Sequence, residues 1–115
     1  MSSNVVVMPV LSDKVEDWKQ LIADLSGPRS NDFADFNTRY QLTRHRAWLQ
    51  QNPDGSYLAL VLHEGEGAST IMQRLVASEH PFDVEFRNKV GDLHGIDFTQ
   101  PPPPPPELWI DSRNI

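Results

Sequence analysis

Hydrophobic and polar positions alternate most clearly between Thr43 and Glu64, where two β-type runs flank Asn52-Pro53-Asp54-Gly55-Ser56. Pro53 pre-sets φ and Gly55 tolerates a positive φ, so this stretch predicts a hairpin. Upstream, Asn4 to Val10 is a β-branched run limited by Pro9 and reads as a first strand. Ser12 is then a suitable N-cap, and Val15, Trp18, Leu21, Ile22 and Leu25 share one helical stripe that Gly27-Pro28 ends. A second helical piece starts near Asn31, with Phe33, Phe36 and Tyr40 spaced by three and four. Beyond the hairpin, Ile71, Met72, Leu75 and Val76 mark a helix interrupted by Glu79-His80-Pro81. A further helix runs from about Phe82 to Leu93, Gly95 suits its C′ position, and Ile96-Asp97-Phe98 serves as a short last strand.

The resulting order is βαββαβ, the ferredoxin-like plan: an α+β fold with a four-stranded antiparallel sheet under a helical layer. Its strands are apolar on both faces. Tyr57, Ala59 and Val61 alternate with Leu58, Leu60 and Leu62, and Val5 and Val7 alternate with Val6, Met8 and Val10. One face meets the helices, and the other is expected to meet a partner sheet, which predicts a homodimer. If Gln51 pairs with Tyr57 across the turn, His45 lies opposite His63 and Arg44 opposite Glu64.

Composition narrows the class. The 115 residues suit one domain, spanning 1–100, followed by an arm at 101–115. Ten basic against sixteen acidic residues give a net charge of −6 and a pI near 5.0. This leaves no basic stripe for nucleic acid. With no cysteine, disulfides, thiolate metal sites and Cys nucleophiles are excluded. Met1 to Met8 lacks the pattern of a signal peptide, and no apolar run reaches the ~20 residues of a membrane span. A cytoplasmic protein is the expectation.

Concentrated polar chemistry sits on the second strand, in Arg44, His45, Arg46 and Trp48. Alternation puts Arg44, Arg46 and Trp48 on one face and Thr43, His45, Ala47 and Leu49 on the other. In a ligand-binding reading, Arg44 and Arg46 hold a carboxylate or enolate, Trp48 and Tyr40 stack on a ring, and a neutral His45 or His63 takes a proton. In a structural reading, Arg44 and Glu64 form a cross-strand ion pair and the rest is dimer surface. His45 with His63 offers two metal nitrogens but no obvious third ligand, so no metal is assigned. His80 reads as part of a helix N-terminus, with Asp83 and Glu85 complementing the macrodipole, and His94 as a structural residue at a helix C-terminus. Ser-His-Asp spacing, phosphate-cradling Gly loops and dinucleotide fingerprints are absent, and no cofactor is assigned.

The βαββαβ order, the Trp48-bearing second strand, the Pro-Asp-Gly hairpin, and His80-Pro81-Phe82-Asp83 leading to Leu93-His94-Gly95-Ile96-Asp97 together resemble the dimeric α+β barrel superfamily, and within it a small uncharacterised bacterial group. The resemblance covers about Asn4 to Phe98. It implies two protomers packed sheet against sheet, and a sheet–helix cavity of the kind that hosts cofactor-free oxygenases, haem-degrading enzymes and lactone isomerases in that superfamily. None of the catalytic residues of the haem-degrading or antibiotic-oxygenase branches has a counterpart here. The expected function is binding of a small acidic or aromatic molecule, with cofactor-independent oxygenase or isomerase chemistry as its enzymatic form. The alternative is a non-catalytic structural or stress-related dimer whose polyproline arm mediates assembly.

Pro101 to Pro106 predicts a polyproline II rod of about 19 Å. It leads to the apolar tip Glu107-Leu108-Trp109-Ile110. The tip is expected to dock on its own protomer or, with Trp109 as anchor, on the dimer mate; a separate polyproline-binding domain is the other destination.

Overall fold

The computed structural model describes residues 2–101 and 104–114. Its elements are β1 (Ser3–Val10), α1 (Val15–Ser26), α2 (Ser30–Arg39), β2 (Arg44–Gln51), β3 (Tyr57–Glu64), a 3-10 turn (Ala68–Thr70), α3 (Ile71–Ala77) and α4 (Pro81–His94). The fold is mixed α+β, with an antiparallel sheet ordered β1-β3-β2. Among the described residues, no helix is long and apolar enough to cross a membrane.

The hairpin forms as its turn chemistry requires. Asp54 accepts a hydrogen bond from the Ser56 amide at 2.9 Å, the Asn52 amide donates to the Ser56 carbonyl at 2.7 Å, and Gly55 takes φ 90°. The register is the expected one, with Gln51 opposite Tyr57, His45 opposite His63 and Arg44 opposite Glu64. On the other side of β3, Val5 faces Leu62 and Val7 faces Leu60.

Among the described residues the sheet has three strands where four were expected. Ile96-Asp97-Phe98 does not pair with β1; it turns. The Ile96 amide donates back to the Gly91 carbonyl at 3.0 Å, and the Asp97 carboxylate accepts from the Thr99 amide at 2.9 Å and from the Thr99 hydroxyl. A short Asp side chain that captures the amide two residues on competes with strand pairing. The helix expected to start at Ser12 begins instead at Val15, because the Lys14 amide closes a turn onto the Leu11 carbonyl at 2.8 Å and holds Ser12 outside. The other helix boundaries follow the sequence closely. His80 caps α4 by accepting from the Phe82 amide at 3.2 Å, Pro81 occupies the first turn, and Gly95 ends it in the left-handed region at φ 66°. Of the expected rod at Pro101–Pro106, Pro102 and Pro103 lie outside the described residues.

Among the described residues, α1 to α4 lie on one face of the sheet. Leu25, Phe36, Tyr40, Leu42, Ile71 and Phe82 form one buried cluster under α2, α3 and α4. A second cluster joins Val10 and Ala59 of the sheet to Trp18 of α1 and Leu93 of α4. The opposite sheet face carries Val5, Val7, Trp48, Leu58, Leu60 and Leu62 and has no helix over it; Val7 and Trp48 are 44% and 46% exposed.

The segment after β3 is threaded tightly past the end of α2, where the Gly67 amide donates to the Gln41 carbonyl at 3.2 Å. A Cβ on Gly67 lands on the Tyr40 carbonyl oxygen, a backbone atom that cannot yield. Gly67→Ala is therefore expected to lower stability by about 2 kcal/mol or more, read as a shift in urea midpoint at unchanged m-value.

Candidate functional site

Between the sheet and the helices lies a cavity of about 280 Å³. Its walls are apolar, with Val6, Met8 and Val61 from the sheet facing Trp18, Phe36 and Met72 from the helices. Into this lining project three imidazoles: His45 from β2, His63 from β3 and His94 from the end of α4. Strand alternation puts His45 and His63 on the helix-facing side, and the register sets them directly opposite, with ring centroids 4.5 Å apart in an edge arrangement.

Their partners fix what each ring can offer. Nδ1 of His45 donates to the Asn37 amide oxygen at 3.0 Å, which leaves its Nε2 as an acceptor. Nδ1 of His94 donates to the Pro9 carbonyl at 2.8 Å, tying α4 to β1. His63, only 5% exposed, has a buried Nδ1 with no hydrogen-bond partner among the described residues. Burial drives the His45 pKa down to about 3, and the neighbouring His63 adds to the shift. Burial also lowers His63 to about 4, and it lowers His94 despite the Pro9 carbonyl. All three rings are neutral at pH 7. Phe33 packs on His45 at 5.0 Å between centroids, and Phe98 closes the lining near His94.

The residues expected to form one site fall in three places. His45 and His63 share the cavity. Arg44, Arg46 and Trp48 lie on the opposite, open face, where the Arg46 guanidinium stacks over the Trp48 ring at 4.9 Å and its Nε is buried without a partner. Arg44 and Glu64 face each other across the strands without forming an ion pair among those of the described residues. Tyr40 is buried at 3% exposure, and its hydroxyl donates to Asp83 at 2.8 Å. Among the described residues, no guanidinium lines the cavity with the histidines.

Two features were not read from the sequence. Asn37, which orients His45, stands one helical turn beyond Phe33 and directly after Phe36; a polar side chain beside an aromatic helix face was its only cue. The other is a buried carboxylate. Asp83, with no exposed surface, receives both guanidinium nitrogens of Arg39 at 2.9 and 2.8 Å, the Tyr40 hydroxyl and the Ser78 hydroxyl at 2.6 Å. Burial alone raises its pKa, but these donors outweigh that and hold it at about 2. Its contacts join α2, α3's C-terminal end and α4, so its part is structural.

Compared with protein-family models, curated proteins and solved structures, this chain matches none. Among the described residues, no three His, Asp or Glu side chains gather as a metal-binding group.

Proposed function

We propose that this protein binds a small, neutral aromatic molecule bearing one hydroxyl or amide-type donor in the sheet–helix cavity, with His63 and His45 as its polar contacts. The unpartnered Nδ1 of His63 carries the proposal. A buried polar atom without a partner costs about 1–3 kcal/mol, and a bound ligand supplying a hydrogen bond removes that cost. Apolar cavities of about 150 Å³ accept benzene, so about 280 Å³ suits one or two rings. The absence of any cation in the lining disfavours a carboxylate, since a buried anion needs a charged partner.

Binding is favoured over catalysis by basicity. A general base works best with a pKa near the working pH, and imidazoles at about 3 and 4 are poor proton acceptors at pH 7. Proton abstraction, as in a cofactor-independent oxygenase or isomerase, needs a substrate that raises one of these values. The ferredoxin-like reading, with β1-β3-β2 as its first three strands, and a homodimer formed through the open sheet face belong to the same proposal; the apolar open face supports them.

A titration with 2-naphthol, followed calorimetrically, tests the proposal. Wild type is expected to bind in the micromolar range, and His63→Leu, which keeps the volume but removes the nitrogen, is expected to bind about tenfold more weakly. Equal affinity for both proteins contradicts the role of His63, and no binding by either contradicts the cavity as a ligand site. A second reading, a non-catalytic dimer assembled through its arm, draws on the arm's exposure, with Trp109 87% accessible.

A further inference from the structure

Among the described residues β2 pairs only with β3, so its other edge is open along eight residues without a proline or bulge to protect it. Unprotected edges of this length are templates for another strand. Ala47, on the helix side of β2, is exposed at this edge, and so is Trp48 on the open side. Arg46, just before them, has a buried Nε with no partner among the described residues, on the face it shares with Arg44 and Trp48.

The same chain carries a segment matched to that edge. Leu108, Trp109 and Ile110 are 77%, 87% and 81% exposed, so the protomer to which they belong leaves its most apolar tip uncovered. In an extended conformation Glu107, Trp109 and Asp111 share one side, opposite Leu108 and Ile110. Trp109 Nε1 already donates to the Glu107 carboxylate at 3.1 Å. Two acids flanking a Trp complement two arginines leading to a Trp, and with Trp109 opposite Arg46 the apolar pair falls opposite His45 and Ala47 on the helix side.

We propose that Glu107 to Asp111 of one copy adds as a strand to the free edge of β2 in a second copy, with Trp109 against Arg46. When these two residues are opposite, either strand direction sets one carboxylate across from Arg44: Asp111 if antiparallel, Glu107 if parallel. Area points to a second copy as the occupant. The open sheet face measures about 27 Å by 14 Å, on the order of 400 Å², about half of the ~800 Å² per partner in a standard interface. Two exchanged arms, related by a two-fold axis, supply the remainder. The edge shares His45 and Ala47 with the cavity lining, but the two proposals are read separately: sedimentation without ligand reports the edge contact, and the 2-naphthol titration reports the cavity.

Sedimentation equilibrium of the full chain tests it, with Arg44→Glu/Arg46→Glu and Glu107→Lys/Asp111→Lys double variants and the quadruple variant carrying both. Wild type is expected to dimerise, each double variant to dissociate at least about tenfold more readily, and the quadruple variant to regain most of the loss, as reciprocal charge pairs do. The arm variant lies outside all helices and strands, so its effect cannot come from misfolding. A monomeric wild type, double variants that dimerise like wild type, or a quadruple variant no tighter than the doubles overturns the inference.

Discussion

Replacing Asp83 by alanine is expected to lower the unfolding free energy by about 3–5 kcal/mol, the largest effect of any single substitution here. The carboxylate is fully buried and receives Arg39, Tyr40 and Ser78 at once. Its removal leaves a phenol buried without an acceptor and a guanidinium bonded only to the exposed Asp35 side chain. In a domain of this size each kcal/mol moves the melting temperature by roughly 4–8 °C, so a fall of some 15–30 °C is expected by calorimetry. Tyr40→Phe, which removes one donor and keeps the ring packing on Phe36 at 4.5 Å, is expected to cost about 1 kcal/mol. A fall of only a few degrees for Asp83→Ala contradicts the structural role given to this group.

Acid is expected to unfold the protein earlier than its carboxylates alone dictate. His45 and His63 have folded pKa values of about 3 and 4, against an ordinary value near 6.5. The unfolded chain therefore binds more protons than the folded one between about pH 6.5 and pH 4. Stability is complete above that window and falls as the pH drops through it. At pH 5 each ring has lost roughly 2 kcal/mol, about 4 kcal/mol for the pair. Asp83 behaves separately: its pKa, held at about 2 against an ordinary 3.8, withdraws stability only as the pH falls below about 4. Urea unfolding across pH 8 to 4 measures this directly. His45→Phe/His63→Leu is expected to flatten the profile above pH 4.5, and an equally steep profile in that variant contradicts the assignment.

The parts of the molecule legible in sequence are those governed by local chemistry. Pro53-Asp54-Gly55 specified the turn, period-two alternation specified the faces, and together they gave the register that sets His45 opposite His63. Gly95 and His80-Pro81 marked the ends of α4. Where a nearby side chain captured the backbone, pattern reading failed: Asp97 holds the Thr99 amide and removes the expected fourth strand, and the Leu11–Lys14 turn displaces Ser12 from the helix start. The candidate site was half legible. Alternation separated the histidines from Arg44, Arg46 and Trp48, and the structure keeps them on opposite faces. The partners of each ring depend on tertiary packing. Asn37 meets His45 because the short connection after Arg39 brings the start of β2 back against the end of α2, and Tyr40 turns from the ligand site towards Asp83 on α4, 43 residues away.

Nitrogen-15 NMR of the histidine side chains, recorded while 2-naphthol is added at pH 7, tests the central claim most directly. Before addition, the His45 and His63 rings are expected to be neutral, with no change in protonation down to about pH 5. On addition, His63 Nδ1 is expected to shift as its missing hydrogen bond forms, saturating at one ligand per chain. Ring resonances that titrate near pH 6.5, or a His63 Nδ1 unmoved by saturating ligand, contradict the account of this cavity as a binding site.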